Sequence, residues 1–504
     1  MELTELLRGI QHRGVSWSPA SEVSGIFYDS RQCIPGGLFV AVSGLKVDGH
    51  DYINDAIKRG ARFIVHEKPY TPPPGITAIE VDDSRSVLGR LSRNFFADPS
   101  ARMCLIGVVG TNGKTTITYL MEEILKNAGF QVGVLGTINY RFSEKIQPAP
   151  NTTPESFEFQ KILREMADEG ITHVLSEVSS HALDLRRVDD CAFNRGIFTN
   201  LSRDHLDYHG TMDQYFKAKE RFFTEVIPAG GKKGASMIVN GDDPWGRKII
   251  KKATLPVDTY GLEGDCWVTA QPWKLTLDGI KATLHDGDNA WEIKSNLIGK
   301  FNLYNILAAV TAALSLGLER ETICRGVKNM KQIPGRLEKI NKPGEPHIFV
   351  DYAHTEDALQ RVLQNLDAFR EGRIITVFGC GGDRDRGKRP RMGRAAVSWS
   401  DLTFITSDNP RTEDPLDIIL EIESGIREYP VVKIEPSETA NYTGGKAYAI
   451  LPERREAIGA AIKAARPGDI VLIAGKGHED YQIIGNLRLP FDDRLIAREI
   501  LDKR

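Results

Sequence analysis

The run Gly110-Thr111-Asn112-Gly113-Lys114-Thr115-Thr116 carries the residue types of a phosphate-binding loop. Such a loop needs glycines so that backbone N–H groups can face phosphate oxygens. It also needs a lysine reaching the β- and γ-phosphates and a Thr or Ser hydroxyl for Mg²⁺. Gly113, Lys114 and Thr115 supply that core; the strict spacing would put a glycine at Val108, and the earlier glycine comes at Gly110 instead. Glu177 ends the apolar segment 173–177, where a magnesium-binding carboxylate belongs if that segment is a strand of the same sheet. Asp204, His205, Asp207 and His209 crowd the stretch that follows Arg203. Two histidines four apart would suit zinc, but the HExxH pattern is missing and the phosphate loop favours magnesium.

A second chemistry gathers near the C-terminus. Residues 379–391 hold Arg384, Arg386, Lys388, Arg389 and Arg391 among glycines, a setting for an anionic ligand. A dinucleotide fingerprint fits poorly there, because the third glycine of GxGxxG is absent. In Ser407-Asp408-Asn409-Pro410-Arg411 a carboxylate and an amide could take an ammonium while a guanidinium fork takes a carboxylate. That is the equipment for a zwitterion. Gly475-Lys476-Gly477-His478-Glu479 is a third candidate loop.

Each cluster follows an apolar run. Residues 105–109 read as a strand entering the phosphate loop. Ile117, Leu120, Met121, Ile124, Leu125 and Ala128 then recur at helical spacing, with Gly129 where a helix would stop. The N-terminus of that helix adds positive potential for phosphate. Strand-like segments at 132–135, 173–177 and 195–198 continue a nucleotide-binding α/β domain. After Pro334-Gly335-Arg336, segments 348–351, 373–378, 402–406 and 470–474 alternate with helical patterns such as 355–369, the texture of a doubly wound unit. Residues 1–100 show short apolar runs at 36–42, 61–65 and 76–81, a helix-like stretch at 52–59 and a Pro-rich loop at 69–75. The expected fold is α/β in three domains. These are a small N-terminal α/β domain (1–100), a central P-loop domain with a parallel sheet (101–334), and a Rossmann-like doubly wound domain (335–504).

Composition agrees. A chain of 504 residues is too long for one core. Lys and Arg number 65 against 68 Asp and Glu, a net charge of -3, which argues against nucleic acid or an anionic membrane as the main partner. Residues 1–14 hold no apolar stretch of 7–15 residues after a basic start, so no signal peptide is expected. The apolar stretch 306–318 falls short of a membrane span and reads as a buried helix. The six cysteines form no CxxC pair, so a reducing, cytoplasmic setting is expected.

Taken together, the motifs resemble the Mur ligases, ATP-dependent enzymes that build the peptide of peptidoglycan. Gly110–Thr116, Glu177-Val178-Ser179-Ser180-His181, Asp204-His205-Leu206-Asp207, Asn302 with Asn305, Pro334-Gly335-Arg336 and Asp351-Tyr352-Ala353-His354 follow the family's landmarks in order over nearly the whole chain. Asp408–Arg411 resembles the signature of members that add meso-diaminopimelate, whereas lysine-adding members generally lack that arginine. A physical reason is available: diaminopimelate has a second carboxylate for Arg411 to pair with, and lysine has none.

The resemblance implies roles by position. Gly110, Thr111, Asn112, Gly113, Lys114, Thr115, Thr116, Asn302 and Arg336 would bind ATP. Thr115, Glu177 and His205 would hold Mg²⁺, and Lys219 would be carbamylated by CO₂. Ser30, Asn151, Thr152, Thr153, Ser179 and Arg187 would contact UDP-N-acetylmuramoyl-L-alanyl-D-glutamate. Arg384, Asp408, Asn409, Pro410, Arg411, Gly475 and Glu479 would bind meso-diaminopimelate. Lys114, Lys219, Asp351 and His354 are the expected catalytic groups, the last two as candidate bases. Two positions depart from the family pattern: Leu185 stands where some members have glutamine, and Gly44-Leu45-Lys46-Val47 replaces a histidine-containing uridine loop. By composition alone Lys219, in an amphipathic stretch, is one more surface lysine.

The implied reaction phosphorylates the D-glutamyl carboxylate and then lets an amine of diaminopimelate displace phosphate, with domain closure uniting the reactants. A monomeric cytoplasmic enzyme with small-molecule substrates, no nucleic acid and no membrane span is expected. The rivals are a ligase of different amino-acid or acceptor choice, including a folylpolyglutamate synthetase, and a P-loop switch that ligates nothing. A switch has no evident use for a zwitterion site.

Overall fold

The computed structural model describes residues 1–14, 21–44, 47–340 and 345–503. The chain divides into two units. One comprises Met1–Pro272, Thr283–Glu292 and Tyr304–Asn329, the other Trp273–Ala282, Ile293–Leu303 and Met330–Arg504. The chain crosses between them within the strands Val268–Thr276, Gly279–Asp286 and Asn289–Ser295, within the helix Lys300–Ser315, and after Asn329. The region expected as the N-terminal domain and most of that expected as the central domain therefore lie in one unit, while residues 273–282, 293–303 and 330–334 belong to the other.

The N-terminal sheet has five short strands, among them Leu38–Val40, Phe63–His66 and Thr77–Glu80, which pair in parallel. The expected helix appears as Ile53–Lys58. In the second sheet of this unit the strands Val132–Leu135, His173–Glu177, Cys104–Val109, Arg195–Phe198, Ser236–Asn240 and Val257–Tyr260 lie side by side in that order, all parallel. The strand feeding the phosphate loop is thus central. Glu177 is in register with Val108 on one side, and Phe198 with Val109 on the other. Ligand groups of parallel sheets gather at this carboxyl edge.

Close packing on this sheet depends on missing side chains. A Cβ on Gly107 would lie 2.4 Å from the Phe222 ring, and one on Gly196 would lie 2.2 Å from Ile227 Cδ1. The helix Met212–Arg221 passes into a π-helical turn, Phe222–Val226, that beds into this gap. The register change of a π turn re-aims the preceding helix, and that helix carries Lys219.

The second unit is built on a seven-stranded sheet. Its parallel core runs His347–Asp351, Ile470–Ala474, Ile374–Phe378, Leu402–Ile405, Ala447–Ile450. Alternate residues feed two cores. Phe349, Ile374, Phe378, Ile405 and Leu472 pack on one face; Ile348, Val350, Ile375, Val377 and Val471 pack on the other. Burial on both faces is why these strands read as continuous apolar runs. A fully buried ion pair ties the unit together: Arg454 donates to Asp493 at 2.8 and 2.7 Å and to Ala474 O at 2.9 Å, and both side chains are 0% exposed. Asp493→Ala strands the guanidinium, so stability to denaturant is expected to fall by about 3–5 kcal/mol. A loss below about 1 kcal/mol would contradict this account of the pair.

No helix among the described residues is long and apolar enough to cross a membrane. Residues 306–315 of the apolar stretch 306–318 lie in the helix Lys300–Ser315, where most are buried.

Candidate active site

The phosphate loop leaves its strand at Gly110 and enters the helix Lys114–Asn127 at Gly113, whose φ of +90° favours glycine. There is also no room for a side chain: a Cβ on Gly113 would lie 2.3 Å from Asn305 Oδ1. The loop is clamped by the neighbouring strand end. Asn200 accepts from Thr111 N at 2.9 Å through its carbonyl and from Asn112 N at 3.1 Å through Oδ1, while Thr199 Oγ1 donates to Asn112 O at 2.7 Å. Lys114 folds back over the loop, donating to Gly110 O at 2.9 Å and Thr111 O at 3.0 Å. The site's principal cation therefore sits on the loop itself.

Thr115 and Glu177 are brought together. Thr115 Oγ1 donates to Glu177 Oε1 at 2.9 Å, and Thr137 donates to the same carboxylate through its N–H (3.1 Å) and hydroxyl (2.9 Å). A hydroxyl and a 1% exposed carboxylate form a hard-oxygen donor set suited to Mg²⁺. His205 bonds to neither; it pairs with Asp204 at 3.4 Å and stacks edge-on to His181 at 4.9 Å. Burial lowers the pKa of His205, as it does those of His209 and His181, the last down to about 4 with its neighbouring histidines contributing. Among the described residues no three His, Cys, Asp or Glu side chains converge to hold a metal by themselves.

Lys219 is no surface lysine. Its side chain is 1% exposed, and its Nζ donates to Gly110 O at 2.9 Å and lies 4.6 Å above the Tyr215 ring. Burial, helped by the charge of Lys114, pushes its ammonium well below the usual lysine range. A buried lysine whose charge is disfavoured thus faces the phosphate loop, which the amphipathic pattern of its helix did not reveal.

Beside this lies a polar ladder. Thr152 Oγ1 is 3.1 Å from Thr137 Oγ1; Thr153 Oγ1 donates to Glu177 O at 2.8 Å and accepts from Ser179 N at 3.1 Å. Arg187 donates to Thr153 O at 3.0 Å and pairs with Glu155 at 2.6 Å. Asn151 is exposed and contributes its carbonyl to the Tyr140 hydroxyl. A cavity of about 890 Å³ opens nearby, lined by Tyr28, Ser30, Arg59, Arg85 and Glu155 among others. Ser30 starts a 3₁₀ turn capped by Asp29, whose carboxyl the Arg31 guanidinium holds below its usual range. Gly44 and Val47 line this cavity; Leu45 and Lys46 lie outside the described residues.

In the second unit four loops emerge at the carboxyl edge of the sheet. Asp408 and Asn409 are 6% and 5% exposed. Asn409 Nδ2 donates to Glu479 Oε2 at 2.9 Å, and Asn409 Oδ1 accepts from Ile483 N at 2.9 Å. Gly475 has φ +112°, and a Cβ there would lie 2.9 Å from Asp408 Oδ2. Arg411 adopts φ +53°; its Nη1 donates to Gly382 O at 2.8 Å and would meet a Cβ on Gly381 at 3.0 Å. Buried Pro410 presses its carbonyl on Gly382, where a Cβ would lie 1.8 Å away. Arg384 is exposed and donates to Asp383 O at 3.1 Å. Arg389 instead is fully buried in pairs with Glu413 and Glu421, so not every arginine of this basic loop is available to an anion.

Asp351 ends its strand with both oxygens taken, by Leu337 N at 2.7 Å and Ala353 N at 2.8 Å. Burial raises its pKa against the opposing charge of Arg336. The guanidinium of Arg336 lies 5.0 Å from the Tyr352 ring. His354 Nδ1 is 2.9 Å from Tyr352 O. Asn302 donates to Ile298 O at 2.9 Å. Thr137, Asn200, Tyr215 and Glu155 were not singled out from sequence; Thr137 and Asn200 lie just past strand ends, the positional signal that had marked Glu177.

Comparison with known proteins follows this geometry. Residues 22–96 match the Mur ligase family catalytic domain, 108–313 the Mur ligase middle domain, and 335–477 the Mur ligase glutamate ligase domain. A Geobacter metallireducens protein named UDP-N-acetylmuramoyl-L-alanyl-D-glutamate--2,6-diaminopimelate ligase is 48% identical over 495 residues, 98% of this chain and 97% of the relative. A Caldanaerobacter subterraneus protein of the same name is 39% identical over 501 residues, 99% of each. A solved structure of an enzyme with that name superposes with a TM-score of 0.72 at 32% identity, covering 100% of this chain and 99% of the other.

Proposed function

The chain belongs to the Mur ligase family and is an ATP-dependent amino-acid ligase, and we propose that it joins meso-diaminopimelate to UDP-N-acetylmuramoyl-L-alanyl-D-glutamate in peptidoglycan precursor synthesis. The observation that carries the substrate reading is the cluster of Asp408, Asn409 and Glu479 at the carboxyl edge of the sheet, with the guanidinium of Arg411, two residues beyond Asn409, held at the Gly382 carbonyl. It offers an ammonium site and a carboxylate site, as the far end of diaminopimelate requires.

Chemistry follows from the first unit. A D-glutamyl carboxylate oxygen attacks the γ-phosphorus of ATP, ADP leaves, and an acyl phosphate forms. Two anions must approach each other, and Lys114 neutralises that charge from the loop. Thr115 and Glu177 are the groups we assign to Mg²⁺, with His205 toward a second ion; when bound, the metal neutralises phosphate charge. Asn302 and Arg336 are assigned to ATP, and Ser30, Asn151, Thr152, Thr153, Ser179 and Arg187 to the UDP-linked acceptor. An amine of diaminopimelate then attacks the acyl carbon, loses a proton, and expels phosphate to leave the amide. For the proton we favour His354, since both oxygens of Asp351 are engaged by backbone donors. Lys219 is assigned to carbamylation. The boundaries 1–100, 101–334 and 335–504 serve as the working division into acceptor, ATP and amino-acid regions of a monomeric cytoplasmic enzyme.

The test is phosphate release with ATP, Mg²⁺ and the UDP-dipeptide, adding meso-diaminopimelate or L-lysine. Release with diaminopimelate far above lysine, with a UDP-tripeptide product, is expected; release with lysine alone would overturn the substrate assignment. Glu177→Gln is expected to raise the Mg²⁺ concentration for half-maximal rate by about 10- to 100-fold. An unchanged Mg²⁺ titration would remove Glu177 from the metal site.

A further inference from the structure

Lys476 lies among Asp408, Asn409 and Glu479 with a side chain that is 0% exposed. Its Nζ is 3.0 Å from Glu479 Oε2, 3.2 Å from Asn409 Oδ1 and 3.7 Å from Asp408 Oδ1. The three groups read above as the ammonium site are therefore already gathered around an ammonium belonging to the chain. We propose that Lys476 is a positioning and specificity-determining residue: a built-in counter-cation that holds Asp408, Asn409 and Glu479 in one cluster and tunes it to accept a single substrate ammonium. The proposal rests on the reading of this pocket as the diaminopimelate site.

The charges make the case. A zwitterionic end group brings one ammonium and one carboxylate. Asp408 and Glu479 present two negative charges to that one ammonium. Lys476 cancels one of them and leaves the other for the substrate, while Arg411 takes the carboxylate. Among the described residues no other ammonium or guanidinium bonds to Asp408, Asn409 or Glu479. Arg454 feels both carboxylates but is committed to Asp493 and Ala474 O. Tyr352, Tyr481 and Cys380 also face this cluster, and burial raises the pKa of each, which keeps them neutral. Tyr481 lies with its ring 5.4 Å from the Lys476 Nζ. Without the lysine, two carboxylates share a pocket, and like charges at close range make one of them take up a proton more readily. A protonated carboxyl no longer attracts ammonium. The pH below which diaminopimelate use declines must then rise.

The experiment uses full-length enzyme carrying Lys476→Met, with Lys476→Gln as a second variant that keeps a hydrogen-bond donor but no charge. Circular dichroism and a thermal melt check folding. The KM for meso-diaminopimelate is expected to rise about 10- to 100-fold, with the KM values for ATP and the UDP-dipeptide unchanged. The acid limb of kcat/KM for diaminopimelate is expected to move to higher pH, and to return in Lys476→Met/Glu479→Gln, where one carboxylate leaves with the lysine. A merely structural lysine would not shift that limb or let it return. Unchanged KM and acid limb in folded variants would overturn the proposal. So would failure of both variants to fold, which would make the ammonium a group of the core. Wild-type enzyme without diaminopimelate-dependent turnover would instead overturn the pocket assignment on which the proposal rests.

Discussion

Lys219→Ala is expected to lower kcat by about 10³-fold, with added acetate or formate restoring part of the loss. The reasoning starts from burial. Lys219 is held against Gly110 O, under the charge of Lys114, in a place where its ammonium is disfavoured. We propose that the neutral form of this amine adds CO₂ and releases a proton, so that the side chain becomes a carbamate anion with two oxygens. Such a group suits Mg²⁺ and phosphate chemistry far better than a second ammonium beside Lys114. A short carboxylate entering the space left by alanine supplies the same oxygens. Depleting CO₂ from wild-type enzyme should lower the rate too, and bicarbonate should recover it. An alanine variant with unchanged kcat would remove Lys219 from the chemistry.

Arg411→Ala is expected to erode the preference for meso-diaminopimelate over L-lysine. The expected loss in kcat/KM for meso-diaminopimelate is about 2–4 kcal/mol, or roughly 30- to 1000-fold, while the low activity with L-lysine changes little. Arg411 is costly to arrange. It takes a left-handed backbone conformation, which a non-glycine residue adopts at about 1–3 kcal/mol; Gly381 leaves room for its guanidinium and Gly382 for the carbonyl of the preceding Pro410. That arrangement aims the guanidinium beside the Gly382 carbonyl. Arg411→Lys keeps a charge but loses the planar fork, so it should recover only part of the loss. Equal losses with both amino acids would mean that Arg411 holds the loop rather than reading a carboxylate.

Sequence and structure agree best where burial is complete. Segments 132–135, 173–177, 195–198 and 470–474 coincide with strands because a parallel strand covered on both faces is an unbroken apolar run. The hairpin Asn139–Phe142 and Lys145–Pro148 was not legible, since its outer strand is exposed and carries no such run. The strands across Val268–Ser295 were missed for a similar reason, having Lys274, Lys281, Glu292 and Lys294 at exposed positions along them. In the site, Glu177 was legible because a carboxylate at a strand end is a positional signal. Lys219 and Lys476 were not, because a buried lysine and a solvated one are the same letter. Only the packing of Phe222 against Gly107, and of Lys476 among Asp408, Asn409 and Glu479, distinguishes them.

The most direct test labels both γ-carboxylate oxygens of the D-glutamyl residue in the UDP-dipeptide with ¹⁸O and supplies ATP, Mg²⁺ and meso-diaminopimelate. Mass spectrometry then reads the nucleotide product and the released phosphate together. The account predicts a UDP-tripeptide heavier by one diaminopimelyl residue and retaining one label, with the other label in inorganic phosphate. Phosphate without label, or no diaminopimelate-dependent product, would contradict it.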